Sequence, residues 1–165
     1  MAKAKTLAIT LLTLMMLTNA VLAQDTISSY NPTILPGNPM YGIKMAFEKL
    51  NIALTRNADK KNELLLEQLQ RRNVEIQKLQ EKNKTTGITR AQMEHQRIID
   101  EIESNTQATQ TSKDNTKKEI GNNLVVLQRV MDKLTSDSNP NNDKAIQSLN
   151  TTIQRIQNKR GVMTA

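Results

Sequence analysis

The chain has 165 residues, no cysteine, no tryptophan and a formal net charge of +7. The missing cysteines exclude a disulfide framework, a thiolate metal site and a lipid-bearing cysteine, so packing alone must hold the fold. Its aromatic side chains are Tyr30, Tyr41 and Phe47. These are too few for the stacking platforms of single-strand binders, so no nucleic-acid partner is expected, and the basic excess reads as solubility plus weak attraction to anionic wall or membrane surfaces.

Residues 1–23 have the grammar of a secretory signal. Lys3 and Lys5 form a basic start, Leu7 to Leu17 an apolar stretch broken by Thr10 and Thr13, and Val21 and Ala23 a small-residue cleavage site ahead of Gln24. The expected location is therefore secreted or extracytoplasmic, in the cell envelope, after cleavage at Ala23. An uncut N-terminal membrane anchor is the alternative, although the apolar run is short of the ~20 residues of a span. Without this segment 142 residues remain, one domain's worth, with 21 basic against 16 acidic side chains and hence +5.

Residues 24–38 are polar and proline-bearing and read as an extended linker. Asn38 and Pro39 mark a helix start, the asparagine as N-cap and the proline at the first helical position. Ile43, Phe47, Leu50 and Leu54 then recur at spacings of four and three. Leu65, Leu69, Ile76 and Leu79 resume the stripe, with Arg72 in the seam, so one helix over 39–84 is expected. Thr85 to Gly87 reads as a short turn, and Thr89 caps a second helix over 89–135. Its stripe is dense at Ile120, Leu124, Leu127, Met131 and Leu134, but Asn105, Thr109, Ser112 and Thr116 stand where a heptad wants aliphatics, which leaves a break as the alternative there. The string SDSNPNN over 136–142 is a turn by composition. Asp143 then caps a third helix over 143–160, with Ile146, Leu149, Ile153 and Ile156 on one face and 161–165 as a tail.

The expected fold is all-α. Two helices of about 46 residues, each roughly 70 Å long, joined by a tight turn should form a long antiparallel hairpin with a coiled-coil-like arm. The short third helix makes a three-helix base in a single helical domain over 39–160. This pairing sets Asp100 and Glu101 opposite Arg71 and Arg72 as ion pairs, and packs Tyr41, Ile43 and Phe47 at the base beneath the third helix.

The block from Leu35 to about Lys78 resembles the domain-of-unknown-function 5667 (DUF5667) family, found in exported proteins of bacteria and archaea. Pro36, Gly37, Pro39, Tyr41, Lys44, Glu48, Leu54, Thr55, Leu65, Arg71 and Arg72 carry the resemblance. Gly42 departs from it where members often have proline, and Asn57-Ala58-Asp59 replaces an Asp-Pro-Glu-like step, which puts a kink there in question. The resemblance implies an exported helical protein and implies no activity.

No catalytic, cofactor or metal site is expected. His95, the sole histidine, has Glu94 and Asp100 nearby but no second imidazole or thiolate, and reads as a surface or seam residue. The carboxylates Glu94, Asp100, Glu101 and Glu103 lack the concave, desolvated setting that acid–base work requires. Arg56, Lys60, Lys61, Lys113, Lys117 and Lys118 form a basic girdle where arm meets base, a candidate contact for an anion or a partner, with Asp59, Glu63, Asp114 and Glu119 interleaved. Asn83 and Asn150 head glycosylation sequons.

Two functions fit these readings. The first is a non-enzymatic helical module for protein interaction, scaffolding or chaperone-like binding, its partner a second protein or another copy of itself. The second is an envelope-surface binder that holds an anionic polymer or lipid through the girdle.

Overall fold

Where the sequence offers polar residues in place of aliphatic ones, the chain breaks its helices, and these breaks decide the architecture. The computed structural model describes residues 30–163, so the signal reading of 1–23 and the cleavage site at Ala23 lie outside the described residues. From Pro32 onward the chain packs as one unit. It is all-helical: α1 (Tyr41–Leu54), α2 (Ala58–Glu81), α3 (Thr85–Ser104), α4 (Gln110–Ser136), a 3-10 turn (Pro140–Asn142) and α5 (Asp143–Met163).

The expected helix over 39–84 is two helices. Pro39 lies in a turn, and α1 begins two residues later, with Asn38 Oδ1 accepting a hydrogen bond from the Met40 amide at 2.8 Å. Gly37, at φ +100°, makes the preceding bend in a conformation that favours glycine. The helix ends when Thr55 turns extended, and Asn57 starts α2 by accepting from the Lys60 amide at 2.8 Å. A break therefore occurs at 55–57 without proline, because an asparagine N-cap satisfies the amides that an uninterrupted helix would have bonded internally.

The turn between α2 and α3 falls at Lys82 to Lys84, earlier than Thr85 to Gly87. Asn83 takes the left-handed conformation at φ 53°, and the Lys84 amide returns to the Leu79 carbonyl at 2.8 Å, closing α2 in a Schellman-type cap. Thr85, Thr86 and Gly87 are thus the first turn of α3, and Thr89 is inside it. A Cβ on Gly87 would lie 2.6 Å from a Leu79 methyl and 3.2 Å from the Pro36 carbonyl oxygen. Leu79 is fully buried and has little room to yield. Overpacking should outweigh the gain in helix propensity, so Gly87→Ala is expected to destabilise by about 1 kcal/mol, read from urea denaturation midpoints.

The expected helix over 89–135 also breaks, at 105–109, where its apolar stripe fades. The polar residues there have partners on α2. Asn105 Nδ2 donates to the Ala58 carbonyl at 2.8 Å and to Asn62 Oδ1 at 2.7 Å, and the Thr109 amide donates to Asp59 Oδ1 at 2.8 Å. The Thr109 hydroxyl then caps α4 through the Ser112 amide.

This break reverses the chain and removes the projecting arm. Helix α4 runs parallel to α2, as the pairs Asn62–Ser112 and Asn73–Asn123 show, each separated by 50 residues. Helix α5 returns antiparallel to α4 and parallel to α3, where Arg155 meets Asp100 at 3.0 Å. The two hairpins α2–α3 and α4–α5 lie side by side as a four-helix bundle in which α2 neighbours α3 and α4, and α5 neighbours the same two. Leu65, Leu69, Ile76 and Leu79 of α2, Ile88, Ile98 and Ile99 of α3, Leu127 and Leu134 of α4, and Leu149, Ile153 and Ile156 of α5 fill its core. Each contributes about 1.5–3 kcal/mol by leaving water. Burial on four helices replaces the two-helix seam because a folded-back α4 covers both α2 and α5. The last helix also extends past 160, to Met163.

Candidate functional site

Helix α1 is attached to the outside of this bundle by charge. It runs antiparallel to α2 and buries Tyr41, Met45 and Ile52. At the centre is Arg72 of α2, a fully buried guanidinium. Its Nη2 donates to both Glu48 oxygens, at 3.0 and 2.9 Å, while Nη1 donates to the Tyr41 hydroxyl at 2.6 Å and lies 3.1 Å from Glu75 Oε2. Glu75, also fully buried, accepts from the Tyr41 hydroxyl at 3.0 Å and pairs with Lys44. Arg71 lies 3.7 Å from Glu48, and the cations of Lys44, Arg72 and Arg90 sit within 6 Å of the Tyr41 ring centre, at 5.5, 5.7 and 5.4 Å.

Burial and the charge of Glu75 push the Tyr41 phenol well above its ordinary pKa, so it acts here as a hydrogen-bonding alcohol. Burial pulls Arg72 toward its neutral form, but Glu75, Tyr41 and Glu48 outweigh that pull and raise its pKa. A second latch joins α1 to α3 through Lys49 and Glu94 at 3.2 Å. Burial would raise the Glu94 pKa, yet hydrogen bonds from Arg97 and Lys49 bring it below the usual value.

The expected pairing of Arg71 and Arg72 with Asp100 and Glu101 is therefore replaced. Glu101 meets Lys61 at 3.1 Å and Arg97 at 2.7 Å, while Asp100 meets Arg155. The earlier turn shifts the α2–α3 register, and α1 supplies the carboxylates that the arginines need.

His95 is a seam residue in the strict sense: it is fully buried among the helices, near Asn123, which is itself paired with Asn73. Burial first, and then the charge of Arg72, lowers its pKa to about 3, which makes it a neutral imidazole. Asn123 is its polar neighbour, although neither ring nitrogen has a well-formed hydrogen bond among the described residues. No group of three or more metal-binding side chains occurs among the described residues.

Burying this clasp turns the other face of α1 outward. Met40, Ile43, Phe47, Leu50 and Leu54 are 50, 50, 68, 53 and 72 % exposed. Of the three residues expected beneath the third helix, Tyr41 is buried against Arg72 and Glu75 of α2 instead, and Ile43 and Phe47 face solvent. The physical reason is electrostatic: turning α1 over would bury its apolar stripe but take Lys44, Glu48 and the Tyr41 hydroxyl away from the buried Arg72–Glu75 pair, a cost of several kcal/mol.

Among the basic candidates, Lys60 pairs with Glu63 at 2.7 Å, Lys61 with Glu101, and Lys113 donates to the Thr106 carbonyl. Arg56, Lys117 and Lys118 are exposed and have no ion pair among the described residues. Because α2 and α4 are parallel, their first turns share one end of the bundle. A cleft of about 560 Å³ opens there, floored by Ile102 and Ile120 and bordered by Asn62, Asn105, Lys113 and Lys117. Asn83 is exposed in its left-handed turn, and Asn150 is exposed on α5.

Glu75, Met45 and the Lys49–Glu94 latch were absent from the sequence-level candidates. The signal that could have found them is the charge pattern itself, with Lys44 and Glu48 one turn apart on α1 and Arg72 and Glu75 one turn apart on α2.

No curated protein and no solved structure matches the chain. The profile of a family described as a domain of unknown function (DUF5667) matches residues 33–159, from the proline-glycine lead-in to the last turns of α5. Tyr41, Lys44, Glu48, Arg71 and Arg72, which carry the sequence resemblance, are the residues that converge on the α1 clasp. A matching span of this length, and one that includes the clasp, establishes that the chain belongs to the DUF5667 family.

Proposed function

We propose that the chain is an exported, non-enzymatic interaction module that presents the outer face of α1 to a protein partner. The observation that carries this reading is the orientation of α1: a helix held by its charged side offers a continuous apolar stripe of a size that marks interaction sites on soluble proteins. A scaffold or chaperone-like role follows from the same surface, since an apolar helical stripe accepts the apolar face of another helix.

The test is binding of a labelled amphipathic helical peptide and of a chemically unfolded client, followed by fluorescence anisotropy. Phe47→Glu with Leu50→Glu should reduce binding at least tenfold without changing the far-UV circular dichroism. Equal binding by the variant and the parent chain would remove α1 from the account.

A second reading is favoured by the exposed charges of Arg56, Lys117 and Lys118, which make no ion pair among the described residues. In it the girdle holds an anionic envelope polymer or lipid. Co-sedimentation with such material should then fall with added salt and be lost when Lys60, Lys61, Lys117 and Lys118 become glutamine. Binding that ignores salt rejects it.

A further inference from the structure

The stripe on α1 has a geometry of its own. Met40, Ile43, Phe47, Leu50 and Leu54 follow spacings of three, four, three and four, the a/d repeat of a two-helix seam about 20 Å long. We propose that its occupant is a second copy of this chain, with the two α1 helices packed antiparallel across a two-fold axis near Phe47 and Leu50. The proposal rests on the interaction-module reading and names its partner.

Charge is the first argument. Partner choice in such seams is set by the flanking positions, and here these are Ala46, Asn51, Ala53 and Lys44. Three are uncharged, and Lys44 is turned into the clasp against Glu75. Nothing along the seam repels an identical helix, and the two alanines permit close approach. A lipid surface fits less well. An interfacial helix directs cations from its polar face toward headgroups, whereas α1 has that face against the bundle, with Lys44 committed to Glu75 and Lys49 to Glu94.

Area is the second argument. Five large side chains, each at least half exposed, present on the order of 500 Å² of apolar surface. Two copies together bury at most about 1,000 Å², below the range of stable interfaces and within that of weak ones, which suits a reversible dimer.

Direction follows from packing. Antiparallel pairing sets Phe47 against the partner's Leu50 and Ile43 against the partner's Leu54, whereas parallel pairing would set Phe47 against its own copy. The arrangement closes as an isologous pair.

The test is sedimentation velocity on the full chain across a concentration series, with the Phe47→Glu/Leu50→Glu variant as control, since both proteins share the same N-terminal segment. The parent should shift from monomer to dimer with concentration, and the variant should remain monomeric. The chain has no cysteine of its own, so Ala46→Cys combined with Ala53→Cys should give a covalent dimer on oxidation, while either change alone should not. A parent that is monomeric throughout, a dimer that survives in the variant, or efficient cross-linking by a single cysteine would each overturn the proposal. A monomeric parent whose peptide binding is still lost in the variant would sink self-pairing and leave the interaction module standing. A monomeric parent whose binding the variant does not alter would end both. Stripe-dependent attachment of a monomer to lipid vesicles would assign the face to lipid and reject the second copy.

Discussion

Replacing Arg72 with alanine should destabilise the chain by about 3–5 kcal/mol, the largest effect expected of any single substitution here. The guanidinium is fully buried and joins Glu48, Glu75 and Tyr41. Its removal takes one of the cations that Glu75 meets in the interior and leaves its pair with Lys44. The pair would be broken without removing the charge that it compensates, and this is the costly way to dismantle a buried ion pair. Replacing the network together, with Arg72→Met, Glu48→Gln and Glu75→Gln, should recover a large part of the loss, because no carboxylate then remains uncompensated. Urea denaturation of the three proteins measures both effects. Amide hydrogen exchange locates them: in Arg72→Ala the amides of α1 should lose protection before those of α2 to α5, since α1 buries few apolar residues of its own. Uniform loss of protection across all helices would mean that the clasp supports the bundle rather than α1.

Acid should weaken the fold through His95. Its pKa is depressed from 6.5 to about 3 in the folded chain, so the unfolded chain binds the proton more readily. Stability from this residue is complete above about pH 6.5. It falls as pH drops toward about 3, at up to roughly 1.4 kcal/mol per pH unit, and levels off below that, where both states are protonated. The measurement is a difference between two proteins, which isolates the imidazole. Denaturation midpoints of the parent chain and of His95→Gln, followed from pH 7 downward, should converge, because glutamine stays neutral. Parallel curves would show that the imidazole is not the group responsible. The charge of Arg72 is part of the reason that the ring stays neutral, which links this effect to the clasp.

Several features were legible from residue order. The stripes on 65–79 and 120–134 predict buried faces, and Leu65, Leu69, Ile76, Leu79, Leu127 and Leu134 are core residues. The turn at 136–142 and the helix from Asp143 are found where composition put them. The segment from Leu35 carries the family resemblance, and the family match includes it. Asn105 and Thr109 are wrong for a continuous seam, but residue order does not show their use. Their partners Ala58, Asn62 and Asp59 are more than 40 residues away, and a one-dimensional pattern gives no distance across such a gap.

The apolar stripe of α1 marks the boundary between the two levels of information. Periodicity identifies Ile43, Phe47, Leu50 and Leu54 as one face of a helix, and residue order alone specifies that stripe. Periodicity does not say which face is inside. The default assignment places apolar residues in the core, because burial is ordinarily the strongest term. Here tertiary packing had already placed Arg72 and Glu75 in the interior on α2, and two buried charges outweigh a stripe that another molecule can cover. The helical class, the core stripes and the family follow from local order. The reversal at 105–109, the parallel partnership of α2 and α4, and the outward face of α1 depend on contacts between residues distant in the chain.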